Sequence, residues 1–287
     1  MKRLLTIQDI SCVGQCSTTV ALPLVSACGV ECAVLPPAML SNHTAKGFRG
    51  WSVCDLTAEL PKVEAKWIEQ DIRFDAFYTG YVCESHIDPI LSIMRTCAKP
   101  GAIRIVDPAM ADNGVLYKGF AADFPSKMAR LCKGADYLLP NLTEAALLVG
   151  EDPLRFCGGE VTPAVAPGMC RASRAEIEAL IAKLHALDVQ TVVLTGVSFA
   201  DDELGTAVSD GRSVAYDFNR RLPCLFHGTG DVFASVFAGA ILRGRPAAAA
   251  AALAADIVCA AIAATEAGHW YGVSFERVIP DLVRALT

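Results

Sequence analysis

His227-Gly228-Thr229-Gly230-Asp231-Val232-Phe233-Ala234 is the stretch on which the reading of this chain turns. An apolar run through Leu242 follows, so the two glycines stand where a helix begins. Glycine lets the backbone approach a ligand closely and leaves successive N–H groups unclaimed at a helix start. Such a terminus attracts anions through those N–H groups and its dipole. Asp231 does not suit plain phosphate binding, because a carboxylate repels phosphate. It suits a general base that takes the proton of an attacking hydroxyl beside the anion hole. An ordinary helix start capped by Asp reads the same way. The tetrad alone leaves both open.

Upstream of that stretch, strand and helix signals alternate along the chain. Residues 3–8 form a short apolar run, and a glycine-containing turn leads to a helix-compatible stretch ending near Cys28, with Pro23 kinking it or marking its first turn. Strand-like segments follow at 30–35, 75–79, 102–106, 137–139 and 191–194, with helical ones at 56–72, 89–97, 121–132 and 142–149. Ser173 with Glu176 makes a capping box for a helix to Leu187. Segments 205–209 and 213–218 flank Asp210-Gly211, a hairpin signal. The Gly- and Pro-rich stretch 150–169 reads as an irregular insertion, and the chain from Gly230 onward as mostly helical. This alternation implies an α/β fold with a mainly parallel sheet covered on both faces. With no repeat or linker visible, residues 1–287 are expected as a single domain.

Composition narrows the function. Hydrophobic residues at 53% and charged residues at 20% exclude a disordered tail, a coiled coil and a collagen-like rod. A net charge of −6 argues against nucleic acid as partner, yet a small anion can still be held locally by N–H groups. The mean hydropathy of +0.38 raises the question of a membrane. The longest low-charge run, 246–264, is alanine-rich with Asp256 in its middle. A spanning helix needs about 20 strongly apolar residues, so the run reads as a closely packed core helix. Lys2 and Arg3 precede an apolar run broken at Gln8-Asp9, too early for a signal peptide. A soluble, cytoplasmic protein is expected. Its twelve cysteines then read as reduced thiols, because no second tight Cys or His pair completes a zinc site beside Cys12/Cys16 or Cys28/Cys32.

Parallel sheets bind ligands beyond the carboxyl ends of their strands. Here those positions hold Asp9, Gly80-Tyr81, Asp107, Pro140-Asn141 and Thr195-Gly196. Asp107 and Asp112 end a buried strand with two carboxylates suited to hydrated magnesium, or simply turn the chain. Asn141 and Glu144 open a helix, equally suited to a hydrated magnesium or to capping. Ser41-Asn42-His43-Thr44 is a polar loop able to contact a small substrate. A Walker Gly-x-x-x-x-Gly-Lys-Ser/Thr is absent, as is Gly-x-Gly-x-x-Gly after the first strand.

Taken in order, Ile7-Gln8 with Gly14, Ser41-Asn42-His43-Thr44, Thr79-Gly80-Tyr81, Asp107-Pro108 with Asp112, Pro140-Asn141 with Glu144, and Gly228-Thr229-Gly230-Asp231 resemble the ribokinase-like superfamily. Within it they resemble the pyridoxal kinase family, the Ser-Asn-His-Thr loop being the most specific piece. The resemblance implies a three-layer ribokinase-like fold with a small lid, and a homodimer. It implies ATP- and magnesium-dependent phosphorylation of the 5′-hydroxymethyl of pyridoxal, pyridoxamine or pyridoxine. Asp231 would be the base, and Gly228, Thr229 and Gly230 the anion hole. Asp112, Tyr117, Asn141, Glu144, Thr195 and Gly196 would face ATP, with Asp107 and Glu144 near magnesium. Asp9, Thr44 and Tyr81 would face the pyridine substrate.

Two departures stand out. Asp9 occupies the place of a usual family serine, and a carboxylate at a ring nitrogen prefers its protonated form. Leu139 replaces a frequent threonine before Pro-Asn, which weakens a monovalent-cation site. Hydroxymethylpyrimidine kinases share the fold but open with Gly-Gly-Ala-Gly-Ile-Gln-Ala-Asp, where residues 12–19 here read Cys-Val-Gly-Gln-Cys-Ser-Thr-Thr. Sugar and nucleoside kinases carry a larger lid. A non-catalytic vitamer-binding protein would have no use for Asp231.

Overall fold

Leu4, Leu5, Thr6 and Ile7 are all buried in strand β1 (Arg3–Ile7), with no alternation between faces. A strand covered on both sides shows this pattern, and alternation belongs to sheets with one wet face. The computed structural model describes residues 1–44, 47–157, 170–222 and 226–287. It divides into two compact units, one of Met1–Arg104 with Leu222–Thr287, the other of Ile105–Arg221.

In the first unit, β1 is followed by β2 (Ile10–Ser11), α1 (Thr18–Ala27), β3 (Glu31–Val34), β4 (Ala38–Leu40), β5 (Val53–Asp55), α2 (Leu60–Glu69), β6 (Phe74–Thr79), α3 (Glu84–Thr96) and β7 (Ala98–Val106). β1 pairs in parallel with β3 and β6, setting Leu5 opposite Ala33 and Phe77. The second unit carries β8 (Ala111–Asp112), β9 (Val115–Leu116), α4 (Phe124–Cys132), β10 (Tyr137–Leu138), α5 (Leu142–Leu148), α6 (Arg174–His185), β11 (Thr191–Val197), β12 (Glu203–Ser209) and β13 (Val214–Arg220). β10 pairs in parallel with β7 and β11, whereas β12 and β13 run antiparallel. The chain ends in the first unit with α7 (Thr229–Leu242), α8 (Ala247–Ala264) and α9 (Ile279–Leu286).

The long strands follow the order β13-β12-β11-β10-β7-β6-β1-β3. This is the mostly parallel sheet that the strand–helix alternation predicts. The small lid corresponds to a second sheet, β2-β4-β5, in which β5 is exposed throughout. Its strands of two or three residues carry no periodicity from which they could be foreseen. The β12–β13 hairpin turns at Asp210, whose Oδ1 accepts from the N–H groups of Arg212 and Ser213. Ser173 caps α6 with Glu176 as the sequence predicts.

α3 differs from its expectation. It starts at Glu84, not at Pro89, because Cys83 and His86 form a capping box ahead of the proline, which sits inside the helix. Most of the stretch 150–169 lies outside the described residues. Around it, Pro153–Arg155 makes one helical turn, and the backbones of Cys157 and Cys170 pair in an isolated antiparallel β-bridge.

α7 is buried from Val232 to Leu242. Small side chains bring its neighbours close: a Cβ on Gly239 would lie 2.4 Å from Cys28 Sγ. By length and composition α8 is apolar enough to cross a membrane. Its Ala250, Ala251, Ala254 and Ala261 are fully buried, and it packs on α7. The cysteines among the described residues are free thiols.

Candidate active site

In the first unit, the chain leaves β1 through Gln8 and turns at Asp9, which is 4% exposed. The Asp9 carbonyl accepts the Thr18 N–H at 3.2 Å, tying this turn to the start of α1. Its carboxylate receives the Ser11 hydroxyl at 3.0 Å. Burial outweighs the neighbouring hydroxyls and pushes the carboxyl above its ordinary range.

Asp231 sits half-buried in the first turn of α7. Burial first, then the nearby Asp9 charge, pushes it up to about 7. A base is most effective when its pKa lies near the working pH. Two weaker acids lie near these carboxylates. Burial drives the Cys16 thiol far up, with Asp231 and Asp9 adding to it, and drives the Tyr81 phenol up to about 12, with Asp9 next. Asp9, Cys16, Tyr81 and Asp231 are therefore one cluster, contributed by the ends of β1 and β6 and the starts of α1 and α7.

Gly228 is the N-cap of α7 at φ +82, and no side chain caps the helix. A Cβ there would fall 1.9 Å from the Gln15 carbonyl oxygen. Gly230 differs: it is exposed, and a Cβ would meet nothing within 4 Å. An anion placed there would find the first N–H groups of α7 open to it. Ahead of the turn, the His227 and His43 rings lie 5.3 Å apart, edge to face. Burial and His227 push His43 down to about 4, so this pair adds no charge through His43. Thr44 is exposed at the end of its loop.

In the second unit, Glu144 is 3% exposed at the start of α5. It makes a capping box with Asn141, receiving the Asn141 N–H at 2.9 Å while Asn141 Oδ1 receives the Glu144 N–H at 3.0 Å. Glu144 Oε1 also accepts the N–H groups of Met110 at 3.0 Å and Ala111 at 3.4 Å. Asn141 Nδ2 donates to the Ala111 carbonyl at 2.8 Å. The pair thus clamps the segment that leads into β8 onto α5. Burial pushes the Glu144 carboxyl up, and Asp112 adds to it.

Asn141 also bridges to Thr195 in β11. Gly196 follows at φ +81, where the β11–β12 register shifts. Asp112 is exposed, Tyr117 is 40% exposed, and Asp107 is half-buried past β7. Leu139 is buried and offers no side-chain oxygen. Among the described residues no three His, Cys, Asp or Glu side chains gather to hold a metal ion.

We expect Glu144→Gln to lower the melting temperature and raise the KM for ATP about ten-fold. The amide would turn an NH2 toward N–H groups that need an acceptor, and each buried group left unpaired costs roughly 1–3 kcal/mol. A melting curve and an ATP titration check this, and unchanged values in both would remove the clamp from the account.

Ser11 donates to Asp9, and the buried Cys16 thiol lies near both unit-one carboxylates, roles that reading the sequence does not give them.

A family model described as phosphomethylpyrimidine kinase matches residues 25–274. The chain is similar to a Bacteroides thetaiotaomicron protein assigned as a phosphomethylpyrimidine kinase and crystallised with pyridoxal, with 29% identity over 98% of this chain and 95% of that one and a TM-score of 0.86. It is also similar to pyridoxal kinase from Lactobacillus plantarum, with 31% identity over 99% and 98% of the two chains and a TM-score of 0.85. Pyridoxal kinase from Staphylococcus aureus in complex with ADP shares the fold at 19% identity, over 95% and 92% of the chains, with a TM-score of 0.75. No curated protein matches the chain.

Proposed function

Because this chain belongs to the phosphomethylpyrimidine kinase family of the ribokinase-like superfamily, we propose that it phosphorylates the 5′-hydroxymethyl group of pyridoxal, pyridoxamine or pyridoxine with ATP. The observation that carries the reading is Asp231, held near neutral pKa beside the uncapped N–H groups of Thr229 and Gly230. Phosphoryl transfer asks a protein for positioning and charge neutralisation more than for covalent chemistry. Asp231 would take the proton of the acceptor hydroxyl, and the start of α7 would receive the phosphoryl oxygens. In the second unit, Asp112, Tyr117, Asn141, Thr195 and Gly196 would hold the nucleotide.

Magnesium would neutralise the phosphate charge. It usually keeps several waters and takes one or two carboxylates together with substrate phosphates. The exposed Asp112 and half-buried Asp107 fit that role, and Glu144, engaged by three N–H groups, would reach the ion through water.

The likeness to the Lactobacillus plantarum enzyme supports the pyridoxal reading, whereas the family model's description favours a hydroxymethylpyrimidine phosphate acceptor. Measuring ATP turnover with pyridoxal, pyridoxamine, pyridoxine, hydroxymethylpyrimidine and its phosphate separates the two. Turnover confined to the pyrimidines would overturn the proposal.

Asp9 sets a further expectation. An ionised carboxylate only accepts hydrogen bonds, so it favours an acceptor substrate that carries a proton on nitrogen. Comparing Asp9→Ser with Asp9→Asn, kcat/KM should shift between vitamers by about ten-fold, the size of one charge-assisted hydrogen bond. The KM for ATP should stay constant. Equal loss for all vitamers with a lower melting temperature would mark Asp9 as structural.

A further inference from the structure

Cys157 and Cys170 bracket residues 158–169 of the Gly- and Pro-rich insertion, and both are free thiols. Their backbones meet in an isolated antiparallel bridge. Residues directly opposite one another in such a pair send their side chains to the same face. The Arg171 N–H donates to the Phe156 carbonyl at 2.9 Å, one residue outside the pair on each side, while the Cys157 N–H goes back to Pro153 at 3.0 Å. The two cysteines are therefore a non-hydrogen-bonded pair, the kind whose Cα atoms approach to about 4.5 Å with their side chains drawn close. A disulfide accepts Cα separations of roughly 4.4–6.8 Å. A backbone of this kind needs no rearrangement to carry one.

The two thiols differ in setting. Cys157 is 3% exposed, with its Sγ 3.1 Å from Thr143 Oγ1 and its S–H donating to the Pro153 carbonyl at 3.6 Å. Cys170 is half-buried, and its S–H donates to the Ala172 carbonyl at 3.7 Å. Thr143 sits in the first turn of α5, where its hydroxyl also accepts the Gly114 N–H at 3.0 Å. Gly114 lies in the turn between β8 and β9. The buried thiol thus braces, through one hydroxyl, the turn that follows Asp112 and leads to Tyr117. We propose that Cys157 and Cys170 form a redox site, a dithiol that a low-molecular-weight disulfide converts to an intrachain disulfide, and that its closure weakens ATP binding. The effect on ATP rests on reading the second unit as the nucleotide half.

The exchange proceeds in two steps. The more open Cys170, as thiolate, attacks one sulfur of the small disulfide, expels the first small thiolate and forms a mixed disulfide. Burial pushes the Cys157 thiol up, which makes it the slower nucleophile and suits it to the second step. Its sulfur attacks the Cys170 sulfur, and the second small thiolate leaves. Two electrons pass from the cysteine thiols to the small disulfide, and the two cysteine protons end on the two small thiols released. For the new bond, Cys157 Sγ must turn from Thr143 and Pro153 toward Cys170. Thr143 then loses its sulfur contact, and the Gly114 turn loses its brace.

The test treats the wild type, Cys170→Ser and Cys157→Ser with glutathione disulfide and afterwards with dithiothreitol. Remaining thiols are alkylated and the peptides mapped by mass spectrometry, and the Kd for ATP with magnesium is measured by calorimetry. In the wild type a disulfide between Cys157 and Cys170 should appear, and the Kd should rise about three- to ten-fold, the scale of one neutral hydrogen bond. Dithiothreitol should reverse both changes. Cys157→Ser should stop with glutathione on Cys170. Cys170→Ser keeps the Thr143 contact, so it should bind ATP like the reduced wild type before and after the oxidant. A wild type in which Cys170 is capped without reaching Cys157, or in which neither reacts, would overturn the site. A disulfide that leaves the Kd unmoved, or an equal rise in Cys170→Ser, would overturn its effect on ATP. If the reduced protein binds no ATP, the nucleotide reading fails, and the peptide map still decides whether the pair closes.

Discussion

Replacing Asp231 by Asn is expected to leave the fold intact and to lower kcat about 10²- to 10⁴-fold, the usual range for loss of a general base. Asn keeps the size of the side chain and one accepting oxygen, but it cannot take a proton from the acceptor hydroxyl. The fold should tolerate the change readily. Burial and Asp9 both disfavour the charge at this position, and a neutral amide removes that penalty.

The pH dependence gives the same assignment from another direction. Burial holds Asp231 up at about 7 in the folded chain, against about 4 for a free Asp carboxyl, so kcat/KM in the wild type should climb with pH through about 7. Stability should run the opposite way. A carboxyl whose folded pKa is raised binds more protons folded than unfolded, so its contribution is present at low pH and is lost as pH rises from about 4 to about 7. Asp231→Asn should abolish both trends. Near-wild-type turnover in that variant, with an unchanged acid limb, would mean that Asp231 merely caps α7.

Much of the frame is legible in the sequence because it rests on local rules. The alternation of strand and helix signals announces a mainly parallel sheet covered on both faces, and β1 is buried on both. The Ser173–Glu176 box and the Asp210-Gly211 turn each appear in the structure where their chemistry puts them. What escapes is whatever depends on contacts distant in sequence. Glu144 reads equally as a metal ligand or a helix cap until Met110 and Ala111 are seen to donate to it, 34 and 33 residues away. Cys83 heads α3 although Pro89 looks like its natural start, because proline's preference for a first turn was outweighed by a capping box that uses cysteine and histidine. Ser17 is the extreme case. Its identity suggests a side-chain cap, whereas it heads α1 at φ 50 with no side-chain cap bond, and only its carbonyl serves the helix.

The two glycines of the tetrad should separate fold from chemistry. In Gly228→Ala the new Cβ would lie 1.9 Å from a backbone oxygen of Gln15, which no rotamer change can relieve. Alanine also resists φ +82, at a cost of about 1–2 kcal/mol for left-handed backbone. Overpacking adds about 1–3 kcal/mol. Together these predict a loss of roughly 2–5 kcal/mol and a melting temperature lower by several degrees. The segment at Gln15 cannot retreat alone, because it leads directly into Cys16, a buried thiol on which both Asp231 and Asp9 act. Activity should therefore fall by more than about 100-fold as Asp231 is displaced, close to the loss of the base itself. Gly230→Ala makes the opposite case. Its Cβ meets nothing within 4 Å, its φ is not positive, and alanine in a helix gains about 1 kcal/mol over glycine. That variant should melt no lower than the wild type, yet it should lose activity if the transferring phosphoryl group needs the space above the α7 N-terminus. Melting curves and kcat for the two variants decide the matter. A Gly228→Ala protein as stable and active as the wild type would refute the steric argument, and a fully active Gly230→Ala would place the phosphoryl group elsewhere.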